Sequence, residues 1–328
     1  MRYVIIGAGA VGATIGASLH EAGRDVVLVA RGEHLRVLRE DGLTFATPSS
    51  TRVLPIPAAG GPDDLVLRPD DVLVLATKSQ DTAGALAAWA PATVDGGTAG
   101  ERLTVVCAQN GVDNERQVLR RFGHVVAVTV WLPATHLRPG VVVAPGDPAP
   151  GVLTLGRYPS GVDATVELIG TDLAAGGFVA PVRDDVMRWK YAKLLGNLGN
   201  AADALFGRDD DAASLVRRAR QEGEAALEAA GIPWTSDEEQ SAMRSAFGVG
   251  TVPGFERGGS STWQSLARGT GSVEVDYLNG EIVLLGRTHG VPTPVNAALQ
   301  ARAAVAAAAG AAPGSGRAAE LLAALAAQ

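Results

Sequence analysis

Tyr3-Val4-Ile5-Ile6-Gly7-Ala8-Gly9-Ala10-Val11-Gly12 is the stretch whose reading decides the fold. Residues 3–6 form a short β-favouring run that passes directly into G-x-G-x-x-G, and residues 11–22 then carry a helical pattern. This strand–glycine turn–helix context raises the motif above chance. Gly7 permits the tight turn, Gly9 lets the backbone approach a pyrophosphate, and Gly12 allows the helix to pack closely on the sheet. The N–H groups exposed where the helix begins then suit phosphate. The pattern predicts a dinucleotide-binding site on Gly7, Ala8, Gly9, Ala10, Val11 and Gly12.

The next strand distinguishes between cofactors. Asp25-Val26-Val27-Leu28-Val29-Ala30 ends in Arg31, where an NAD site usually has an acidic residue to accept from the ribose 2′-hydroxyl. A cation there suits a 2′-phosphate through a charge-assisted contact. Asp25 stands at the wrong end of the strand, and Glu33 is the one nearby carboxylate that complicates the reading. The cofactor predicted is NADP.

Outward from this unit, residues 71–76 and 103–108 are further Val/Leu-rich runs followed by polar loops. Continuous apolar strands between helices predict a parallel sheet covered on both faces. Residues 125–130, 141–144 and 151–156 read as a later β meander, with Arg138-Pro139-Gly140 as a turn. From about residue 184 the composition becomes helical, over 188–206, 212–230, 238–246, 272–289 and 295–309. The boundary is therefore placed between a domain of residues 1–183 and one of 184–328. Pro313-Gly314-Ser315-Gly316 reads as a hinge before a final Ala/Leu helix.

Composition excludes several classes. The 328 residues carry a formal charge of −7 with no long basic run, which argues against a nucleic-acid partner. Cys107 is the single cysteine, so no intrachain disulfide can form. The five histidines are scattered with no pair at ligand spacing, and no metal site is expected. The first apolar run breaks into glycines too early for a signal peptide, and no apolar run approaches the roughly 20 residues that span a bilayer. A soluble, cytoplasmic protein is expected, with no membrane partner and with a homodimer left open.

Four more segments carry a resemblance. They are Ala76-Thr77-Lys78-Ser79-Gln80, Gln109-Asn110-Gly111, the run from Trp189 to Asn197 that includes Lys193-Leu194-Leu195-Gly196-Asn197, and Ser260-Ser261 followed by Val273-Glu274-Val275-Asp276-Tyr277-Leu278-Asn279-Gly280. With the glycine motif, this set resembles the ketopantoate reductase (2-dehydropantoate 2-reductase) family from residue 1 to about 300. The resemblance implies an α/β Rossmann-type N-terminal domain with an all-helical C-terminal domain. It also implies an oxidoreductase of pantothenate biosynthesis, in which NADPH reduces a small-molecule 2-oxo acid to a 2-hydroxy acid. It places the 2′-phosphate cations on Arg31 and Lys78, and the asparagine beside nicotinamide and substrate on Asn110. The catalytic lysine falls on Lys193, the substrate-binding amides on Asn197 and Asn200, the substrate-contacting serine on Ser261, and the acidic active-site residue on Glu274. The active site is expected in a cleft between the domains.

The residues make chemical sense beside that resemblance. On one continuous helix, Asn197 and Asn200 both fall within about 40° of Lys193, away from Leu194, Leu195 and Leu198. Asparagine is a poor helix former, so two on one stripe point to hydrogen-bonding duty. An ammonium can stabilise charge growing on a carbonyl oxygen and then donate its proton, and Glu274 could keep that lysine protonated. Lys190, about 60° away from Lys193, is read as a surface or cofactor-proximal residue. His136 is read as an edge-strand histidine, Cys107 as core and Trp189 as packing. Two departures from the family pattern bear on the substrate: only Leu198 and Gly199 separate Asn197 from Asn200, and Trp131 brings a bulky ring where small residues are usual. Another 2-oxo acid or an opine-type imine is the alternative substrate. A non-catalytic NADP-binding regulator is the alternative from another class.

Overall fold

Strand β1, Arg2–Ile6, sends alternate side chains into two separate cores. Tyr3 and Ile5 join Val26, Leu28, Val72, Val74 and Val106 on one face, while Val4 and Ile6 join Val27, Val29, Leu73, Leu75 and Val105 on the other. Both faces are covered, which is why these strands read as continuous apolar runs. Burial of each such side chain contributes roughly 1.5–3 kcal/mol. This computed structural model describes residues 1–207, 209–255 and 258–327. The chain forms two units, residues 1–190 with 236–256 and residues 191–235 with 257–328. The sequence reading set its single boundary at 183/184. The division after Lys190 falls inside one helix, Val186–Asn197, and the return of 236–256 to the first unit leaves no trace in composition.

The main sheet of the first unit has seven strands. From one edge they are Val152–Arg157, His124–Trp131, Thr104–Cys107, Asp71–Leu75, β1, then β2 (Asp25–Val29) and Ala58–Ala59. All neighbours run parallel except Val152–Arg157, which is antiparallel to His124–Trp131. Strand order reverses between β1 and Asp71–Leu75, the switch point at which doubly wound sheets bind dinucleotides. Helix α1, Ala10–Glu21, follows β1, and α2, Gly32–Glu40, follows β2. At the opposite end of the sheet, Arg2 grips Asp71 with two bonds of 2.8 and 2.7 Å, a bidentate link between these central strands.

The expected meander is corrected. Residues 124–131 and 152–157 do pair in the main sheet, but Val141–Val143 lies in a second sheet, parallel to Leu43–Ala46 and antiparallel to Thr135–Arg138. Leu43–Ala46 in turn pairs with Thr51–Leu54. These strands are short, and the pairing that joins the two hairpins links residues almost a hundred apart in the chain, so local pattern does not reveal it.

The second unit is helical among its described residues: Asn200–Phe206, Asp210–Ala229, Ser261–Ala267, Asn279–His289, Pro294–Ala308 and Ala318–Ala326. Asp210–Ala229 buries Ala212, Leu215, Ala219, Gly223, Ala226 and Leu227, a single stripe at helical spacing. Asp209 caps it by accepting from the Ala212 N–H at 2.7 Å. Two expectations change here. The helix read over 188–206 is two helices, separated at Leu198-Gly199. The 313–316 stretch is pinned: the N–H groups of Gly314 and Gly316 donate to the carbonyls of Ala204 and Leu205, both at 2.9 Å.

Candidate functional site

The glycine loop divides its own labour. Gly7 adopts φ +103°, and the N–H groups of Gly7 and Ala8 both donate to the Val29 carbonyl, at 3.1 and 3.0 Å. These two donors tie β1 to β2. The first-turn N–H groups of α1 have no intrahelical partner by helix geometry, and its cap residue Gly9 supplies no side-chain bond. A Cβ on Gly12 would sit 2.1 Å from the Gly7 carbonyl oxygen, so the helix lies as close as a backbone allows. A Cβ on Gly9 would meet nothing within 4 Å. The loop is thus tight below and open above, a cradle that fits a pyrophosphate held by the N–H groups at the start of α1.

Arg31 is exposed and caps α2 at the end of β2. Glu33, the carboxylate that complicated the cofactor reading, is committed elsewhere: it pairs with Arg36 at 2.5 Å, and Arg36 also binds Glu40. The Arg36 guanidinium holds the Glu33 carboxyl below its usual range. Lys78 is half-buried on the loop after Asp71–Leu75 and Asn110 half-buried on the loop after Thr104–Cys107, two adjacent strands.

A buried polar network joins those two loops. The Gln109 amide donates to the Thr77 carbonyl at 3.0 Å and to the Thr82 hydroxyl at 2.9 Å. Thr82 donates to Asn114 Oδ1 at 2.9 Å, and the Asn114 amide donates to Ser79 Oγ at 3.1 Å and to the Asn110 carbonyl at 2.9 Å. The backbone carrying Lys78 and Asn110 is therefore held from beneath by Gln109, Thr82, Asn114 and Ser79, side chains to which the sequence assigns no role of their own. Lys190 is part of the same support, which corrects its reading as a surface residue. It is 3% exposed, 2.5 Å from the wholly buried Glu115 carboxylate, and donates to the carbonyls of Gln109 at 3.0 Å and Val128 at 3.3 Å. The signal was present: Lys190 stands four residues after Val186 and four before Leu194, both fully buried, and so on the apolar stripe.

In the second unit, Lys193 Nζ donates to Asn197 Oδ1 at 2.8 Å across one turn. Asn200 does not continue that stripe, because the helix stops first. It starts the next helix, and its amide reaches Ser261 Oγ at 3.5 Å. The preceding Ser260 caps Ser261–Ala267 and bonds the Asn200 carbonyl at 3.2 Å, while its own N–H donates to Asp203 at 2.9 Å. The break itself is held by Asn279, whose amide takes the Leu198 carbonyl at 3.1 Å and Asn296 Oδ1 at 3.0 Å. Asn279 had been quoted only as motif. Glu274 is buried, on the short 3₁₀ turn Glu274–Tyr277. Burial lowers the Arg268 guanidinium while the Glu274 carboxylate acts in the opposite direction, so Arg268 is a further cation of this unit.

The remaining candidates are packing groups. His136 bonds the Val141 carbonyl at 3.0 Å. Cys107 is buried, which pushes its thiol well up. Trp189 is buried with the Arg183 guanidinium 5.8 Å from its ring, and Arg244 lies 5.0 Å from the Trp131 ring. Among the described residues, no group of three or more His, Cys, Asp or Glu could hold a metal, and no helix is long and apolar enough to cross a membrane.

A doubly wound sheet with an open glycine cradle at its switch point defines a dinucleotide-binding protein. Comparison with known proteins then gives the family. The model described as ketopantoate reductase PanE/ApbA matches residues 3–160, and that described as ketopantoate reductase PanE/ApbA C terminal matches residues 185–306. The chain belongs to the ketopantoate reductase family. It is 31% identical over 309 residues to a 2-dehydropantoate 2-reductase of Halobacterium salinarum, covering 90% of this chain and 95% of that one. The crystal structure of a PanE/ApbA family ketopantoate reductase from Ralstonia eutropha is 29% identical, with a TM-score of 0.77 over 94% of this chain and 99% of the other. D-mandelate dehydrogenase, solved with NADH and anilino(oxo)acetate, shares the fold at 22% identity, with a TM-score of 0.78 over 94% and 99% of the two chains.

Proposed function

We propose that this protein is a cytoplasmic enzyme that uses NADPH to reduce a 2-oxo acid to a 2-hydroxy acid, with 2-dehydropantoate (ketopantoate) as substrate and Lys193 as general acid. The observation that carries the reading is the Lys193–Asn197 contact of 2.8 Å, within the family to which the chain belongs. The Asn197 carbonyl oxygen is a neutral acceptor that orients the ammonium, and an ammonium so placed can stabilise a developing oxyanion. Bound NADPH supplies the hydride to the carbonyl carbon. Lys193 donates a proton to the carbonyl oxygen, and Asn197, Asn200 and Ser261 hold the acid by hydrogen bonds. Glu274 keeps positive charge favourable in the same unit. The first-turn N–H groups of α1 would hold the pyrophosphate of NADPH, Arg31 and Lys78 its 2′-phosphate, and Asn110 would contact its nicotinamide.

Two measurements test this reading. Purified protein given ketopantoate oxidises NADPH, followed by absorbance, and EDTA leaves the rate unchanged. Turnover of another 2-oxo acid with none of ketopantoate would move the assignment to a different acyl chain. Arg31→Ala weakens NADPH by about tenfold or more, the worth of one charge-assisted hydrogen bond, and leaves NADH binding nearly unchanged. Equal affinity of the wild-type protein for the two cofactors would refute the role of Arg31.

A further inference from the structure

We infer that His34 is a positioning residue for the cofactor loop, a neutral two-ended clamp whose protonation loosens NADPH. The inference rests on the reading that Gly7–Gly12 holds the cofactor. His34 lies half-buried on α2, and both its ring nitrogens are engaged. Nε2 lies 2.7 Å from the Ala8 carbonyl, and the Gly140 N–H reaches Nδ1 at 2.9 Å. The partners dictate the tautomer. A backbone N–H can only donate, so Nδ1 is the bare acceptor; a carbonyl can only accept, so Nε2 carries the hydrogen.

Each end has a consequence. The Ala8 carbonyl belongs to the peptide that joins Ala8 to Gly9, so fixing it fixes the direction of the Gly9 N–H at the open side of the cradle. Gly140 sits at φ +73° in the turn between Thr135–Arg138 and Val141–Val143, where a Cβ would strike Val37 Cγ1 at 2.2 Å. His34 thus braces the cofactor loop against the second sheet. Protonation would place an N–H on Nδ1 facing the Gly140 N–H, and the brace would lose that end.

The surroundings favour the neutral form. Burial lowers the imidazole, with the Ala8 carbonyl acting the other way. His136, on the strand Thr135–Arg138, lies with its ring 4.4 Å away. On α2 itself Glu33 and Glu40 are paired with Arg36, and Arg31 stands at the cap. Arg138 lies 5.5 Å from the Phe255 ring. The glycine loop carries no ionisable side chain, and α1 carries none before His20 and Glu21 at its far end. The sign follows: a group whose protonation is disfavoured by the fold keeps its contacts at high pH and loses them as pH falls.

The test is equilibrium NADPH binding to the whole protein, from about pH 8 to about pH 5, across the usual histidine value of about 6.5. Glutamine offers one acceptor and one donor at comparable spacing and does not titrate. Wild type is expected to lose affinity progressively over this range, while His34→Gln binds as wild type does at the upper end and loses distinctly less at the lower. His34→Ala weakens NADPH by about tenfold at the upper end and raises KM for NADPH without raising KM for the 2-oxo acid. Parallel pH profiles for wild type and His34→Gln, failure of glutamine to restore binding, or unchanged affinity in His34→Ala would each overturn the inference. Absence of NADPH binding by wild type at about pH 8 would overturn the glycine-loop reading and this inference with it.

Discussion

Lys193→Ala is expected to lower kcat by about 10²–10⁴-fold, the usual worth of a positioned general acid, with NADPH affinity nearly unchanged. The separation follows from placement: Lys193 and Asn197 belong to the second unit, whereas the glycine cradle, Arg31 and Lys78 belong to the first. Steady-state rates at saturating NADPH, together with direct cofactor titration, read the two effects independently. Reduction by the wild-type protein should also fall at alkaline pH, because only the protonated lysine can act. Glu274→Ala should lower kcat less than Lys193→Ala does, because the carboxylate supplies no proton to the carbonyl oxygen. A near-normal kcat in Lys193→Ala would remove lysine acid catalysis from this protein.

The second large effect is on stability. Lys190→Ala strands the Glu115 carboxylate, fully buried and left without its cation. Breaking such a pair from one side costs about 3–5 kcal/mol, which denaturant unfolding of the variant should show directly. Replacing both partners by apolar residues of similar size, Lys190→Met with Glu115→Leu, should recover most of the loss, since the desolvation of both charges disappears together. Unaltered stability in Lys190→Ala would refute the buried pair. The chain has only three lysines, Lys78, Lys190 and Lys193. Lys190 cannot serve as a silent control for Lys193: its loss would lower activity through unfolding and through the Gln109–Asn110 backbone it supports. A fall in kcat in a Lys190 variant must therefore be set against its unfolding curve before any chemistry is assigned.

Much of this protein is determined locally and was legible in sequence. The glycine spacing, the apolar strands and the cation after β2 depend on backbone sterics, burial on two faces and charge at one strand end. Each of these acts within about thirty residues, and the switch point follows once strand order is drawn. Tertiary structure alone decided the rest. It placed Val141–Val143 beside Leu43–Ala46, a pairing that rests on contacts made far along the chain. It broke the 188–206 helix, because Asn279 captures the Leu198 carbonyl and so redirects Asn200 toward Ser261. It also buried Lys190: a long cationic side chain usually reaches solvent, and only the arrival of Glu115 and two backbone carbonyls makes burial tolerable. The same holds for His34, whose tautomer is set by Ala8 and Gly140, one before it in the chain and the other more than a hundred residues after it. Residue type and spacing fix what a side chain can do, but its partner, and hence its charge state and role, comes from groups that meet only when the chain has folded.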